Sequence, residues 1–302
     1  MSKVWFKSYK KNGKRQRKQR YKCLNCRYIF ENNSRKTTNL KSQLWHDYVF
    51  GNQTVNSLSQ QYGLSNKSIR KLLDDYDFIL PEITVQNCVI VMDTCYFRRG
   101  FGVMVFRDIL SRRNIFWKFL NYETVLEYSS GIDYIKSLGV KIEGIACDGK
   151  RGLFTAFGDI PVQMCQFHQV AIIRRYITRN PKLQAGIELK SLMHLLTKSS
   201  KPDFIDLLNE WHTKWKGFLS EKTYNDQTGK WHYTHRRLRS AYRSLKTNMP
   251  YLFVYLEYPD QGIPNTTNSL EGLFSSLKTK LRIHSGIRDW RKRKIVNEIL
   301  SK

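Results

Sequence analysis

From Val85 to Cys165 the chain runs through apolar segments in an order that few architectures can accommodate. Val85–Met92, Gly102–Ile109 and Ile115–Leu120 follow one another at strand length, and an amphipathic stretch predicts a helix over Thr124–Ser137. A strand at Lys141–Ala146, a helix over Gly152–Phe157 and a short strand at Val162–Cys165 complete the series. Three strands in succession, then strand and helix in alternation, predict an α/β fold with one mixed sheet and helices on both faces.

Two of these runs end in a carboxylate. Cys88-Val-Ile-Val-Met leads into Asp93, and Ile142-Glu-Gly-Ile-Ala-Cys leads into Asp148. A third acid, Glu271, opens Asn268-Ser-Leu-Glu-Gly-Leu-Phe-Ser-Ser-Leu-Lys278. The order of elements is that of a ribonuclease-H-like mixed sheet, whose first and fourth strands are neighbours. Asp93 and Asp148 would then meet at the carboxyl ends of buried strands although 55 residues apart. Either aspartate alone reads as a strand-end residue capping the next turn. The pair together with Glu271 reads as a site for two divalent cations, with the three residues as both catalytic groups and metal ligands.

The remainder of the chain is strongly basic, with 52 Lys and Arg against 25 Asp and Glu and a formal charge of +27. Nucleic acid is the default partner for such a balance. The competing partner, an anionic membrane, is disfavoured because no run of about 18 apolar residues exists and the first residues have no signal-peptide core. The six cysteines, one close pair and four scattered singles, do not form a disulfide framework and suit a reducing compartment. A length of 302 residues predicts a main domain with appendages.

Residues 1–36 carry 13 basic side chains against the single acid Glu31. Such a block is expected to be a solvated, mobile arm that grips phosphates without reading sequence. Within it, Cys23-Leu-Asn-Cys26 and the aromatics after it resemble one knuckle of a zinc ribbon, which needs two further ligands to close. A partial zinc site and a bare basic hairpin are both open readings.

Residues 37–80 turn helical. Val55, Leu58, Tyr62, Ile69, Leu72 and Leu73 space out two helices broken at Gly63-Leu64-Ser65, the pattern of a helix-turn-helix with Gly63 in the left-handed turn and Ser65 capping the second helix. That recognition helix, about Asn66 to Asp75, carries Asn66, Lys67, Ser68, Arg70 and Lys71 as candidate DNA contacts. An ordinary helical bundle leading into the next domain is the alternative.

The catalytic core is expected to occupy 81–170 and 259–302, interrupted by an all-helical insertion at 171–258. Trp211 and Trp215, four apart, are expected to pack between helices, as is Trp231. Arg236, Arg237, Arg239 and Arg243 have no acid near them in sequence and are candidate DNA contacts. Lys150, Arg151, Lys278, Arg282 and His284 are candidates for neutralising phosphates close to the carboxylates.

Val-Met-Asp93-Thr-Cys-Tyr-Phe, Cys-Asp148-Gly-Lys-Arg-Gly-Leu, Cys165-Gln-Phe-His168 and Asn265-Thr-Thr-Asn268-Ser-Leu-Glu271-Gly together resemble the DDE transposases of bacterial insertion sequences related to the Mutator superfamily, in the variant with an N-terminal zinc-binding segment. Cys165-x-x-His168, 17 residues after the second aspartate, is the most specific element. Taken without the family, Cys165 and His168 read as a core thiol and a core histidine; the resemblance puts them in the active-site neighbourhood.

It implies Mg²⁺ or Mn²⁺ as a pair of ions roughly 3.5–4 Å apart, held by Asp93, Asp148 and Glu271, performing strand cleavage and then strand transfer. It further implies double-stranded DNA as partner, both element ends and target, a homo-oligomeric synaptic complex, and a cytoplasmic, nucleoid-associated prokaryotic protein. The family's second cysteine pair, ahead of Lys11-Asn-Gly-Lys14, is missing here, where Val4, Trp5 and Phe6 stand. The expectation is therefore a chain that starts inside the ribbon and binds zinc incompletely. Two other functions stay open: an inert or domesticated DNA-binding protein, and a resolvase-type nuclease of the same fold.

Overall fold

The computed structural model describes residues 8–15, 18–31, 34–78 and 82–302; Val4, Trp5, Phe6 and Pro81 lie outside them. The chain divides into two compact units, Met1–Ile79 with Lys280–Ile295, and Leu80–Thr279 with Val296–Lys302. Residues 280–295, expected in the catalytic core, therefore belong with the N-terminal unit.

In the first unit, β1 (Tyr9–Arg15), β2 (Lys18–Cys23) and β3 (Ile29–Glu31) form an antiparallel sheet. This replaces the mobile arm expected from charge alone. An aromatic face favours it: the rings of Tyr9, Tyr21 and Phe30 sit 5.3–5.9 Å apart, a half-exposed cluster that gives the basic ribbon ring-to-ring packing. Then come α1 (Ser34–Val49), α2 (Val55–Tyr62) and α3 (Asn66–Asp74). The Thr54 and Ser65 hydroxyls accept the N–H groups of Ser57 and Ser68, both at 3.2 Å, and so cap α2 and α3. Gly63 ends α2 at φ 63°, a conformation that costs glycine little. Leu58, Ile69 and Leu73 are buried in the angle between these helices.

The second unit opens with β4 (Asn87–Arg98), β5 (Phe101–Asp108) and β6 (Asn114–Leu120), an antiparallel meander. After α4 (Val125–Ser137) come β7 (Lys141–Cys147) and β8 (Val162–Met164). The sheet order is β6-β5-β4-β7-β8, with β4, β7 and β8 parallel. Cys88 to Met92 of the central strand are all fully buried, which explains the unbroken apolar run. α4 lies so close to the sheet that a Cβ on Gly131 would come within 2.3 Å of the Phe106 ring. Asp93 does not end its strand: β4 runs on to Arg98, and Asp93 pairs with Val105 of β5. The helix expected over Gly152–Phe157 is a single 3-10 turn, Leu153–Thr155.

The stretch expected to be wholly helical contains α5 (Gln166–Ile177), α6 (Gln184–Met193), α7 (Lys201–Ser220), α8 (Arg236–Leu252) and α9 (Val254–Glu257). It also holds a β-hairpin, β9 (Lys222–Asn225) and β10 (Lys230–Tyr233), so the all-helical expectation is corrected. The turn residues Asn225-Asp-Gln-Thr-Gly229 between β-branched and aromatic positions account for it. Trp211 is buried and donates to the Ala185 carbonyl at 3.0 Å, and Trp215 donates to Glu188 at 2.8 Å. Trp231, by contrast, stands 66% exposed on β10 instead of packing between helices. Two last helices, α10 (Asn268–Ile283) and α11 (Asp289–Leu300), each run from one unit into the other. No helix among the described residues is long and apolar enough to cross a membrane.

Candidate active site

The parallel pairing of β4 with β7 reaches Val91 opposite Ala146. Two residues further along each chain stand Asp93 and Asp148, both half-buried at the end of the sheet where β7 stops and β4 continues. Each carboxylate is steadied locally. Asp93 accepts the Thr94 N–H at 2.7 Å, and Asp148 accepts the Lys150 N–H at 3.0 Å. Burial pushes the Asp93 carboxyl up to about 6; the nearby Asp148 and Glu123 add to the rise, while the Thr94 N–H and His168 oppose it.

Glu123, which sequence reasoning missed, sits in the short link before α4. The buried Tyr128 hydroxyl donates to it at 2.9 Å and lies 2.9 Å from the Thr94 hydroxyl. Burial, reinforced by Glu123, drives the Tyr128 pKa upward, so the phenol stays protonated. Nothing in the sequence around Glu123 distinguishes it from a solvated acid, because its relation to Asp93 is created only by the fold.

Cys165 and His168 stand in the first turn of α5. The Cys165 sulfur is fully buried and accepts the Thr267 N–H and the Thr267 hydroxyl, each at 3.4 Å. The same hydroxyl lies 3.5 Å from His168 Nδ1. Beside this, the Gln166 N–H donates to the Asn265 carbonyl at 2.9 Å, and the Asn265 amide donates to Gln166 Oε1 at 3.0 Å. The segment Asn265-Thr-Thr-Asn268 is thus buttoned onto α5, and the Thr267 carbonyl accepts the first N–H groups of α10, those of Leu270 and Glu271. Burial works to raise the Cys165 thiol pKa, but the bonds from His168 and Thr267 outweigh it and the net shift is downward. His168 is pushed up to about 9, chiefly by its bond to Cys165 against the opposing effect of burial, with Asp93 and Asp148 contributing.

Asp93 and Asp148 are brought together; Glu271 is not brought to them. It is exposed in the first turn of α10, and among the described residues no three His, Cys, Asp or Glu side chains are gathered to hold a metal ion. The two aspartates suit a hard divalent cation in donor chemistry, and a cation would relieve the crowding that raises Asp93. The third expected ligand is not assembled with them. At the N-terminus, Cys23 is buried and Cys26 exposed in the turn after β2, and the Cys26 backbone N–H is the main cause lowering the Cys23 thiol. No second pair of ligands joins them among the described residues.

The other candidates scatter. Lys67, Arg70 and Lys71 are exposed on α3, whereas Asn66 donates to Asn56 at 2.9 Å and Ser68 faces the capping Ser65 hydroxyl at 2.9 Å. Arg237 and Arg239 donate to the backbone carbonyls of Arg175 and Leu219, and Arg239 lies 3.5 Å over the Tyr233 ring. Two of that cluster are therefore occupied within the fold; Arg236 and Arg243 are both exposed. Lys278 and Arg282 are exposed on α10, Arg151 is exposed and Lys150 half-buried. His284 is corrected: only 4% exposed, it bonds the Tyr48 carbonyl at 2.9 Å, and burial lowers its pKa, so it is a neutral core residue and not a phosphate contact.

No protein-family model and no curated protein matches the chain. Among solved structures, it is similar to a chain of the simian T-cell lymphotropic virus intasome in complex with PP2A regulatory subunit B56 gamma, at 12% identity, covering 67% of this chain and 68% of that one with a TM-score of 0.22.

Proposed function

We propose that this chain is a DNA transposase of the DDE type related to the Mutator superfamily, with a ribonuclease-H-like catalytic core. The observation that carries the reading is the β4–β7 register, which leads Asp93 and Asp148 to one end of a mixed sheet and leaves a half-buried carboxylate with a raised pKa there. The strand order, three antiparallel strands followed by two parallel ones, is what such a core requires. The charge of +27 supports a phosphodiester substrate. Asp93 and Asp148 would hold the divalent cations, with Glu271 of α10 as the further ligand this reading calls for. Bound there, the metal supplies Lewis-acid activation of the attacking hydroxyl and stabilisation of the departing 3′ oxygen. The His168 imidazolium offsets the crowding of the carboxylates, and Lys150, Arg151, Lys278 and Arg282 hold the backbone. In this reading the protein is cytoplasmic, associates with the nucleoid and works as a homo-oligomer on paired element ends.

One observation favours a second reading, an inert DNA-binding protein: Glu271 stands apart from the aspartates. A nicking assay separates the two. Duplex carrying the repeats that flank the gene is incubated with Mg²⁺ or Mn²⁺, and with EDTA. The transposase reading expects metal-dependent nicks at the repeat boundary and joining of a pre-cut 3′ end to plasmid. Binding without nicking in either metal leaves the inert reading, and nicking without joining leaves a resolvase-type nuclease.

A further inference from the structure

A cavity of about 730 Å³ opens within the first unit, made wholly of residues from that unit. Its walls are the start of α2 at Thr54–Asn56, the face of α3 bearing Arg70 and Asp74, and the turn from Ile283 to Arg291 that joins α10 to α11. The volume lies in the range that encloses a small molecule or one nucleotide.

Its charge is unbalanced. Three guanidinium groups, Arg70, Arg288 and Arg291, line it with a single carboxylate, Asp74. Asp74 is taken by Arg291, whose Nε and Nη2 both donate to it. The guanidinium groups of Arg70 and Arg288 have no acidic or hydrogen-bonding partner among the described residues, so two forked cations line a concave space. Guanidinium groups in that state match the oxygens of a phosphodiester.

The rest of the lining is aromatic. Trp290 is 45% exposed at the cavity, with the Arg291 guanidinium 5.2 Å from its ring centre. Beneath, the buried rings of Tyr48 and His284 lie 3.9 Å apart, with His284 committed to the Tyr48 carbonyl. A bare anion would use the arginines and leave this surface idle. A phosphate carrying a planar base uses both, since a base stacks on an aromatic face whatever its identity.

We infer that this cavity seats one unpaired nucleotide of DNA, its phosphate on Arg70 and Arg288 and its base against Trp290. The base must be unpaired because a paired one has to leave its stack to enter a concave site, whereas a strand end or overhang offers it freely. The inference rests on the DNA reading above and assigns to it a specific end structure.

Anisotropy titrations of the full chain decide it, using two labelled duplexes that differ only by a single unpaired 3′ nucleotide. The overhang duplex is expected to bind about tenfold tighter than the blunt one. Arg288→Ala and Trp290→Ala erase that preference while Trp290→Tyr keeps most of it, and dAMP competes better than inorganic phosphate. Both positions are exposed, so the variants are expected to fold, which circular dichroism checks. Equal affinity for the two duplexes overturns the proposal, as does a preference that survives Trp290→Ala. Phosphate competing as well as dAMP would reduce the cavity to an anion site and overturn it too. So would dAMP binding as tightly as the overhang duplex, which marks a free-nucleotide site. Loss of the preference with duplex binding intact sinks only this proposal; no duplex binding by a folded chain sinks the DNA reading itself.

Discussion

The two aspartates and Glu271 are held in place by different means, and the contrast explains why the first two meet and the third does not. Asp93 and Asp148 ride on paired strands, so the hydrogen-bond register that builds the sheet also sets their separation. Glu271 rides on a helix whose start is fastened to α5 by side-chain bonds through Thr267, Cys165 and His168. Sheet register cannot change without unfolding the core. The place of Glu271 is set instead by the packing and side-chain bonds of a helix start, which no sheet register ties to the two aspartates.

The largest effect tests function at all three acids. Asp93→Asn, Asp148→Asn and Glu271→Gln are each expected to lower metal-dependent cleavage by about 10³-fold or more while DNA binding persists or tightens, since a ligand and a repulsive charge are lost together. The comparison sharpens if stability is read alongside. Asp93→Asn removes a half-buried carboxylate whose ionisation the fold opposes and is expected to raise Tm above pH 6, whereas Glu271→Gln, on an exposed carboxylate, leaves it unchanged. Near-normal cleavage by any variant removes that residue from the site.

The next effect is on stability against pH in the presence of a chelator. The folded pKa of Asp93, about 6, lies above its usual 3.8, so its contribution to stability is fully present below about pH 4 and is lost as pH rises through 6. A two-unit rise corresponds to up to about 3 kcal/mol. His168, raised from 6.5 to about 9, adds stability that is present below 6.5 and lost as pH rises through 9. Urea midpoints of the metal-free chain are therefore expected to fall between pH 4 and 6, a fall that Asp93→Asn abolishes, and to fall again between 6.5 and 9, a step that His168→Gln abolishes. A flat profile in the wild type would mean that Asp93 is not a strained carboxylate.

The clasp between α5 and α10 carries a smaller effect. Thr267→Val keeps the shape of a fully buried side chain and deletes the hydroxyl shared by Cys165 and His168. The expected cost is about 1–2 kcal/mol, with cleavage falling more than stability alone explains if the start of α10 must be held for Glu271 to act. Cleavage unchanged in this variant would break the link between the clasp and the third acid.

The strands and the adjacency of β4 and β7, which brings Asp93 and Asp148 to one end of the sheet, were legible because buried strands announce themselves as continuous apolar runs in a telling order. The caps at Thr54 and Ser65 and the turn at Gly63 were legible for a similar reason, each being local chemistry. What escaped was set by tertiary contact. Glu123 gains meaning only from the fold that sets it near Asp93. The burial of His284 depends on Tyr48, 236 residues away, so the histidine read as one more basic surface residue. At β1–β3 the hairpin was one of two open readings, and the mobile arm expected for the block as a whole came from net charge, which is a statement about partners rather than about fold.

The smallest effect concerns the other cysteine pair and completes the contrast between a residue held by its neighbours and one left incomplete. Cys165 is buried, accepts two bonds and joins two elements of the second unit. Cys23 and Cys26 share a tight turn after β2 and have no further ligand pair among the described residues, while a structural zinc site takes four. The small sheet around them carries a ring cluster of Tyr9, Tyr21 and Phe30 that contributes packing without metal. Cys23→Ser with Cys26→Ser is accordingly expected to leave both cleavage and Tm within error, whereas Cys165→Ala with His168→Ala impairs both. Metal analysis by mass spectrometry provides the check. Stoichiometric zinc in the purified chain, lost together with activity in the Cys23/Cys26 double variant, would reverse the ordering and require two ligands from another copy of the chain.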